Sequence, residues 1–150
     1  MSTLFAFFHH VLAFTLVAAL AVEFILIGQV QGEALSFGVA KRLTITDAVL
    51  GVAAGLLFVV GLLRVFFFEK GAEYYFHSHA FMTKLSVFIA VSVLSVAPTL
   101  EFMSWRKALK AGQAPVVEPK KLRFIKMIIH GELAAVVIIL LCAAIMARGG

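Results

Sequence analysis

Four long apolar runs, each interrupted by only a few ionisable residues, dominate this sequence: Leu4 to Gly28, Ala48 to Phe68, Phe81 to Met103 and Ile125 to Met146. Each is about 20–25 residues long, the length a helix needs to cross roughly 30 Å of hydrocarbon at 1.5 Å per residue. Backbone groups in lipid must be hydrogen-bonded within the segment, so such runs form helices. Period-two alternation, the mark of a membrane barrel, is absent. The expectation is an all-α fold, an integral membrane antiparallel four-helix bundle in one domain covering residues 1–150.

Composition agrees. Of the 150 residues, 63% are hydrophobic and 14% charged, far from the proportions of a water-soluble domain. A chain of this length cannot bury that excess in a core of its own. A soluble enzyme, a disordered tail and a nucleic-acid module are thereby disfavoured. The single cysteine, Cys142, leaves no intrachain disulfide and no multi-cysteine metal site. The first run lacks a basic n-region and continues past Glu23 into Phe24-Ile25-Leu26-Ile27, which points to a retained span rather than a cleaved signal peptide.

The net charge of +5 reads as topology. Lys41 and Arg42 follow span one, and Arg106, Lys107, Lys110, Lys120, Lys121, Arg123 and Lys126 follow span three. With four antiparallel spans these nine lie on one side, against Arg64, Lys70, Lys84 and Arg148 on the other. The positive-inside rule makes the nine-rich side cytoplasmic and puts both termini outside. The expected location is a bacterial inner membrane, with the lipid bilayer as the first partner. The Ala114–Pro119 stretch reads as an extended kink in the longest cytoplasmic loop, and Trp105 as an interfacial anchor.

Ionisable side chains inside spans are costly and are functional candidates by default. Here they sort by depth into two layers. The outer layer holds His9, His10, Arg64 and Lys84, with His77 and His79 on the loop above. Neutral imidazoles in an apolar bundle are good metal or haem ligands, and their alternative is a hydrogen bond to water or a headgroup at the interface. Arg64 and Lys84 can snorkel to headgroups or hold carboxylates such as porphyrin propionates. The segment from Phe66 to His79 is rich in aromatic residues, as in an interfacial belt. Its His-x-His pair is also a weak metal-binding signal.

The inner layer holds Glu23, Asp47, Glu101, His130 and Glu132. Thr46-Asp47 reads as the N-terminal cap of span two. Glu101 can pair with Arg106 or Lys107. Glu23 needs a partner from another helix or is protonated, and a Glu23–His130 pair is the expected partner. His130 and Glu132, two residues apart on a helix, point to opposite sides. Gly51-Val52-Ala53-Ala54-Gly55, continued by Gly61, makes a small-residue packing face. Pro98 weakens or kinks span three.

Several stretches carry a resemblance. They are His9-His10 with Glu23, Asp47-Ala48-Val49-Leu50-Gly51, Gly61-Leu62-Leu63-Arg64 running into Glu69-Lys70-Gly71, and Lys84 followed by Pro98-Thr99. On these the chain resembles the DUF2214 family of bacterial four-helix membrane proteins, along nearly its whole length. More distantly the layout is similar to HemJ-type protoporphyrinogen oxidases and to the CopD membrane domain. HemJ-type proteins have a histidine early in span one and a lysine early in a later span, places that His9 or His10 and Lys84 take here. That resemblance implies haem b. It departs at Glu23, where the HemJ pattern has an arginine.

Three functions follow as expectations. One is a haem b protein with a redox or porphyrin-handling role, in which His9 or His10 supplies an axial ligand, His79 or Lys84 a second, and Arg64 holds propionates. Another is a non-catalytic accessory subunit packed against a membrane-protein partner, or a homo-oligomer, through the glycine face. The last is a metal or ion handler built on the His77/His79 loop and the Glu23 layer. No nucleophile motif, phosphate-binding loop or catalytic carboxylate pair is recognisable.

Overall fold

The computed structural model describes residues 2–30, 35–68 and 70–148; Glu69 of the aromatic segment lies outside them. Helix α1 spans Ser2–Gly28 and α2 Phe37–Leu63, followed by one π-helical segment at Arg64–Phe68. A short α3 (Ala72–Phe76) leads to α4 (His79–Ser104), short α5 (Arg106–Lys110) and α6 (Pro119–Ala147). No strand occurs among the described residues, and four helices are long and apolar enough to cross a membrane.

The long helices form a ring. Helix α1 packs against α2 and α6, and α4 packs against α6 and α2. Contacts between opposite ends fix the directions. Phe5 near the start of α1 stacks on Phe68 beyond the end of α2, with ring centroids 4.5 Å apart. Phe58 of α2 stacks on Phe88 of α4 at 6.0 Å, and Phe24 of α1 meets His130 of α6 edge to face at 4.8 Å. Neighbours around the ring are therefore antiparallel.

Helix boundaries differ from the apolar runs. Helix α2 begins at Phe37, not near Ala48, because Ser36 is its N-cap: the Ser36 hydroxyl accepts from the Val39 N–H at 3.2 Å. Lys41 and Arg42 thus sit exposed on the first turns of α2 rather than in a loop. Likewise α6 begins at Pro119, which suits a first helical position because it has no N–H to leave unpaired. Residues 113–118 before it have no regular structure, in keeping with the extended kink. Pro98 does not interrupt α4, which runs on to Ser104.

Trp105 is 3% exposed and packs edge to face on Phe102 at 4.9 Å. It is a core residue at the α4–α5 junction, not an interfacial anchor. Its Nε1 donates to Glu101 Oε1 at 3.2 Å, and Lys121 of α6 lies 3.6 Å from Glu101 Oε2. Glu101 is thus tied across to α6 rather than to Arg106 or Lys107. At the same end Lys126 Nζ donates to the Val30 carbonyl at 3.3 Å, where a cation complements the C-terminal dipole of α1.

The glycine face divides. A Cβ on Gly61 would meet the His9 imidazole at 3.5 Å, whereas Cβ atoms on Gly51 and Gly55 would meet nothing within 4 Å. Only Gly61 serves close packing inside the bundle.

Candidate functional site

Two polar centres lie inside the ring, at different depths. The first is a cavity of about 390 Å³ near the α1 N-terminal end. His9 and His10 reach it from α1, Arg64 from the start of the π-helical segment, and Lys84 from α4. Its walls are apolar, with Phe58, Phe88 and Met146 among them, and Tyr75 and Phe81 stand at its α3 side. A π-helical turn alters side-chain register within an otherwise α-helical run and is frequent at functional sites. Here it carries Arg64 and Val65 into the cavity wall.

The two histidines are held differently. The His9 ring lies against Gly61, half-buried. His10 Nδ1 stands 2.6 Å from the Ala6 carbonyl. A carbonyl only accepts, so Nδ1 carries a proton, and in the neutral ring Nε2 is the nitrogen with the lone pair. Arg64 and Lys84 stand close enough for their charges to act on each other. Two cations and two imidazoles within apolar walls form a set suited to a mainly apolar ligand with an anionic end.

His79 does not join this group. It is exposed at the first turn of α4 and lines a separate hollow with Glu73, Tyr74, His77 and Cys142. There His77 Nδ1 donates to the Glu73 carbonyl at 2.7 Å. No group of three or more His, Cys, Asp or Glu side chains among the described residues is placed to hold a metal ion.

The second centre is a carboxyl cluster toward the other end. Glu23 of α1, Asp47 of α2 and Glu132 of α6 are 1%, 7% and 3% exposed. Glu23 and Asp47 lie within side-chain hydrogen-bonding reach, and Glu132 is near enough to act electrostatically on both. Helix α4 supplies the hydroxyls. Thr99 Oγ1 donates to Asp47 Oδ1 at 3.0 Å. Ser95 Oγ stands 2.6 Å from Glu132 Oε1 and 2.9 Å from the Val91 carbonyl, so its one proton serves one of the two. Glu23 Oε1 is buried with no hydrogen-bond partner among the described residues.

This centre corrects two expectations. Asp47 is not a cap; Ser36 caps α2, and Asp47 sits in the helix body facing α4. Glu132, not His130, turns toward Glu23. His130 is exposed, lies against Phe24, and donates its Nδ1 proton to the Lys126 carbonyl at 2.6 Å. The signal was in the buried stripes: Ile125, Ile129, Glu132 and Val136 recur at spacings of three and four, as do Ala40, Leu43, Asp47 and Leu50. Each acid occupies a position that its stripe assigns to the core.

Among curated proteins and solved structures, none matches this chain. A family model does match, over residues 1–150, and the chain belongs to that family, described as predicted membrane protein (DUF2214).

Proposed function

We propose that this membrane protein binds a largely apolar ligand with a carboxylate edge, and that haem b is the ligand it takes. The observation that carries this reading is the single cavity that gathers His9, His10, Arg64 and Lys84 between apolar walls. The donor set fits the group. His10, with Nδ1 committed to the Ala6 carbonyl, offers Nε2 in the form in which imidazole binds iron, and His9 is the second candidate. Arg64 and Lys84 suit propionates, the arginine by its two-pronged geometry. The walls are mainly apolar and suit the face of the macrocycle. Haem supplies one-electron chemistry or serves as cargo in porphyrin handling. His79, on its separate hollow, has no part in this reading. The protein sits in a bacterial inner membrane, with the Lys41/Arg42 end and the long α4–α6 connection in the cytoplasm.

The test is a haem titration of the detergent-purified protein followed by its Soret band. A saturable band that is lost in the His9→Ala/His10→Ala double variant and weakened in Arg64→Ala supports the reading. Absence of a Soret band in the wild type removes it.

A second reading, a non-catalytic subunit joined to a membrane partner or to its own copy, draws on Gly51 and Gly55, whose outward faces meet nothing within the chain. Small residues on a lipid-facing stripe favour close helix association. Cross-linking in native membranes that fails in Gly51→Leu/Gly55→Leu favours it.

A further inference from the structure

We propose that the buried carboxyl cluster is a proton-binding site, with one exchangeable proton shared between Glu23 and Asp47 and Glu132 as the third member. The inference is independent of the haem reading. Glu23 lies fourteen residues along α1 from His9, roughly 21 Å at the helical rise.

The groups facing the cluster are acids and hydroxyls. Helix α1 contributes Glu23, α2 Asp47, α6 Glu132, and α4 the hydroxyls of Ser95 and Thr99. Nearby basic groups are committed elsewhere or more distant. Lys126 Nζ donates to the Val30 carbonyl, His130 lies on Phe24, and Lys121 pairs with Glu101. Arg106 of α5 acts on Asp47 through its field, without a hydrogen bond to it among the described residues.

Three carboxylates at this burial repel one another and lose hydration, a state that requires a neutralising cation. Two further observations identify it. Glu23 and Asp47 come within hydrogen-bonding reach, and two carboxyl groups bond to each other only through a proton on one of them. In addition, Glu23 Oε1 is buried with no hydrogen-bond partner among the described residues, a free oxygen within a cluster that, among those residues, is not gathered to ligate a metal ion. The proton needs no coordination shell. It comes from water, forms one O–H bond on a carboxyl oxygen, and returns to water when that bond breaks; no electrons are transferred. Thr99 holds Asp47 by donation and Ser95 stands against Glu132, which leaves Glu23 as the member with no hydroxyl partner. Ionisable groups at this depth are found in proton pathways.

The test uses the full chain in phosphatidylcholine vesicles and infrared difference spectra between acidic and alkaline buffer. The expected result is a carboxylic-acid carbonyl band that shifts in D2O, disappears at alkaline pH, and is lost in Glu23→Gln and in Asp47→Asn but kept in Glu101→Gln. Two variants guard against misfolding of either one, and the wild-type band stands on its own. The proposal is overturned if the folded wild type shows no such band at any pH, if both variants retain it, or if the band responds to sodium at fixed pH rather than to pH.

Discussion

Thr99 on α4 donates its hydroxyl to Asp47 Oδ1 on α2 at 3.0 Å, one residue beyond Pro98. It is a polar link between two helices that also meet through the Phe58–Phe88 stack. Thr99→Val keeps the shape and removes the donor, leaving a buried carboxyl oxygen unsatisfied. Hydrogen bonds between membrane helices are worth about 0.6 kcal/mol on average and up to about 1.7. Loss of a donor to a buried charged group adds a desolvation cost of about 1–3 kcal/mol. The expected outcome is a destabilisation of about 1–2 kcal/mol in reversible unfolding in mixed micelles, with Thr99→Ser near wild type. Equal stability of Thr99→Val and wild type contradicts the bond.

The His9 imidazole lies against Gly61 of α2. An added Cβ meets the ring at 3.5 Å, an ordinary van der Waals contact, so Gly61→Ala should retain both stability and haem titration. Gly61→Leu carries atoms beyond that Cβ into the space the ring occupies. It must displace His9 or part the helices, since interiors are close-packed. The expected result is a lower thermal midpoint and a weakened Soret titration in Gly61→Leu alone. A Gly61→Leu protein that binds haem as well as the wild type removes His9 from the cavity's function.

The four spans and their ring were legible because hydrocarbon forces backbone pairing and apolar length onto the sequence. The two polar layers were legible because antiparallel helices return each depth to itself, which is how His9, Arg64 and Lys84 come to line one cavity. What escaped was rotation about the helix axes. An apolar run does not mark which of His130 and Glu132 faces inward when most of its neighbours are apolar. The assignment comes from which stripe α1 and α4 cover, and α6 buries Ile129 and Glu132 while leaving His130 exposed. Asp47 was misassigned for a different reason. Lys41 and Arg42 made residues 37–47 look like a connection, whereas α2 extends beyond its apolar run and exposes those two side chains.

At the α4–α5 junction, two contacts to one carboxylate should differ sharply in weight. Lys121 has a side chain 59% exposed at 3.6 Å from Glu101, and exposed ion pairs contribute about 0–1 kcal/mol. Trp105 is buried against Phe102, and emptying such a site costs about 3–5 kcal/mol. Lys121→Ala should leave the unfolding midpoint nearly unchanged, and high salt should reduce even that small effect. Trp105→Ala should lower it steeply, with Trp105→Phe between the two because the ring volume remains while the Nε1 donor is gone. A large effect of Lys121→Ala would show that the ion pair, rather than the tryptophan, anchors the junction.

Ser36 fixes where α2 begins, and that start determines the turn on which Asp47 falls. Its hydroxyl accepts from the Val39 N–H at 3.2 Å, and its carbonyl accepts from the Ala40 N–H at 3.0 Å. Ser36→Ala removes the side-chain acceptor alone and should cost about 1 kcal/mol, with Ser36→Asp restoring most of it. The first turns also carry Lys41 and Arg42, exposed in the structure, so fraying there should be readable as faster amide exchange across residues 37–42. Because Leu43 and Asp47 are buried one and two turns further on, exchange at Asp47 should stay slow in Ser36→Ala. Fast exchange at both places would mean that the α2 start and the carboxyl cluster open as one unit, and that the cap, not the Thr99 bond, holds Asp47 in register.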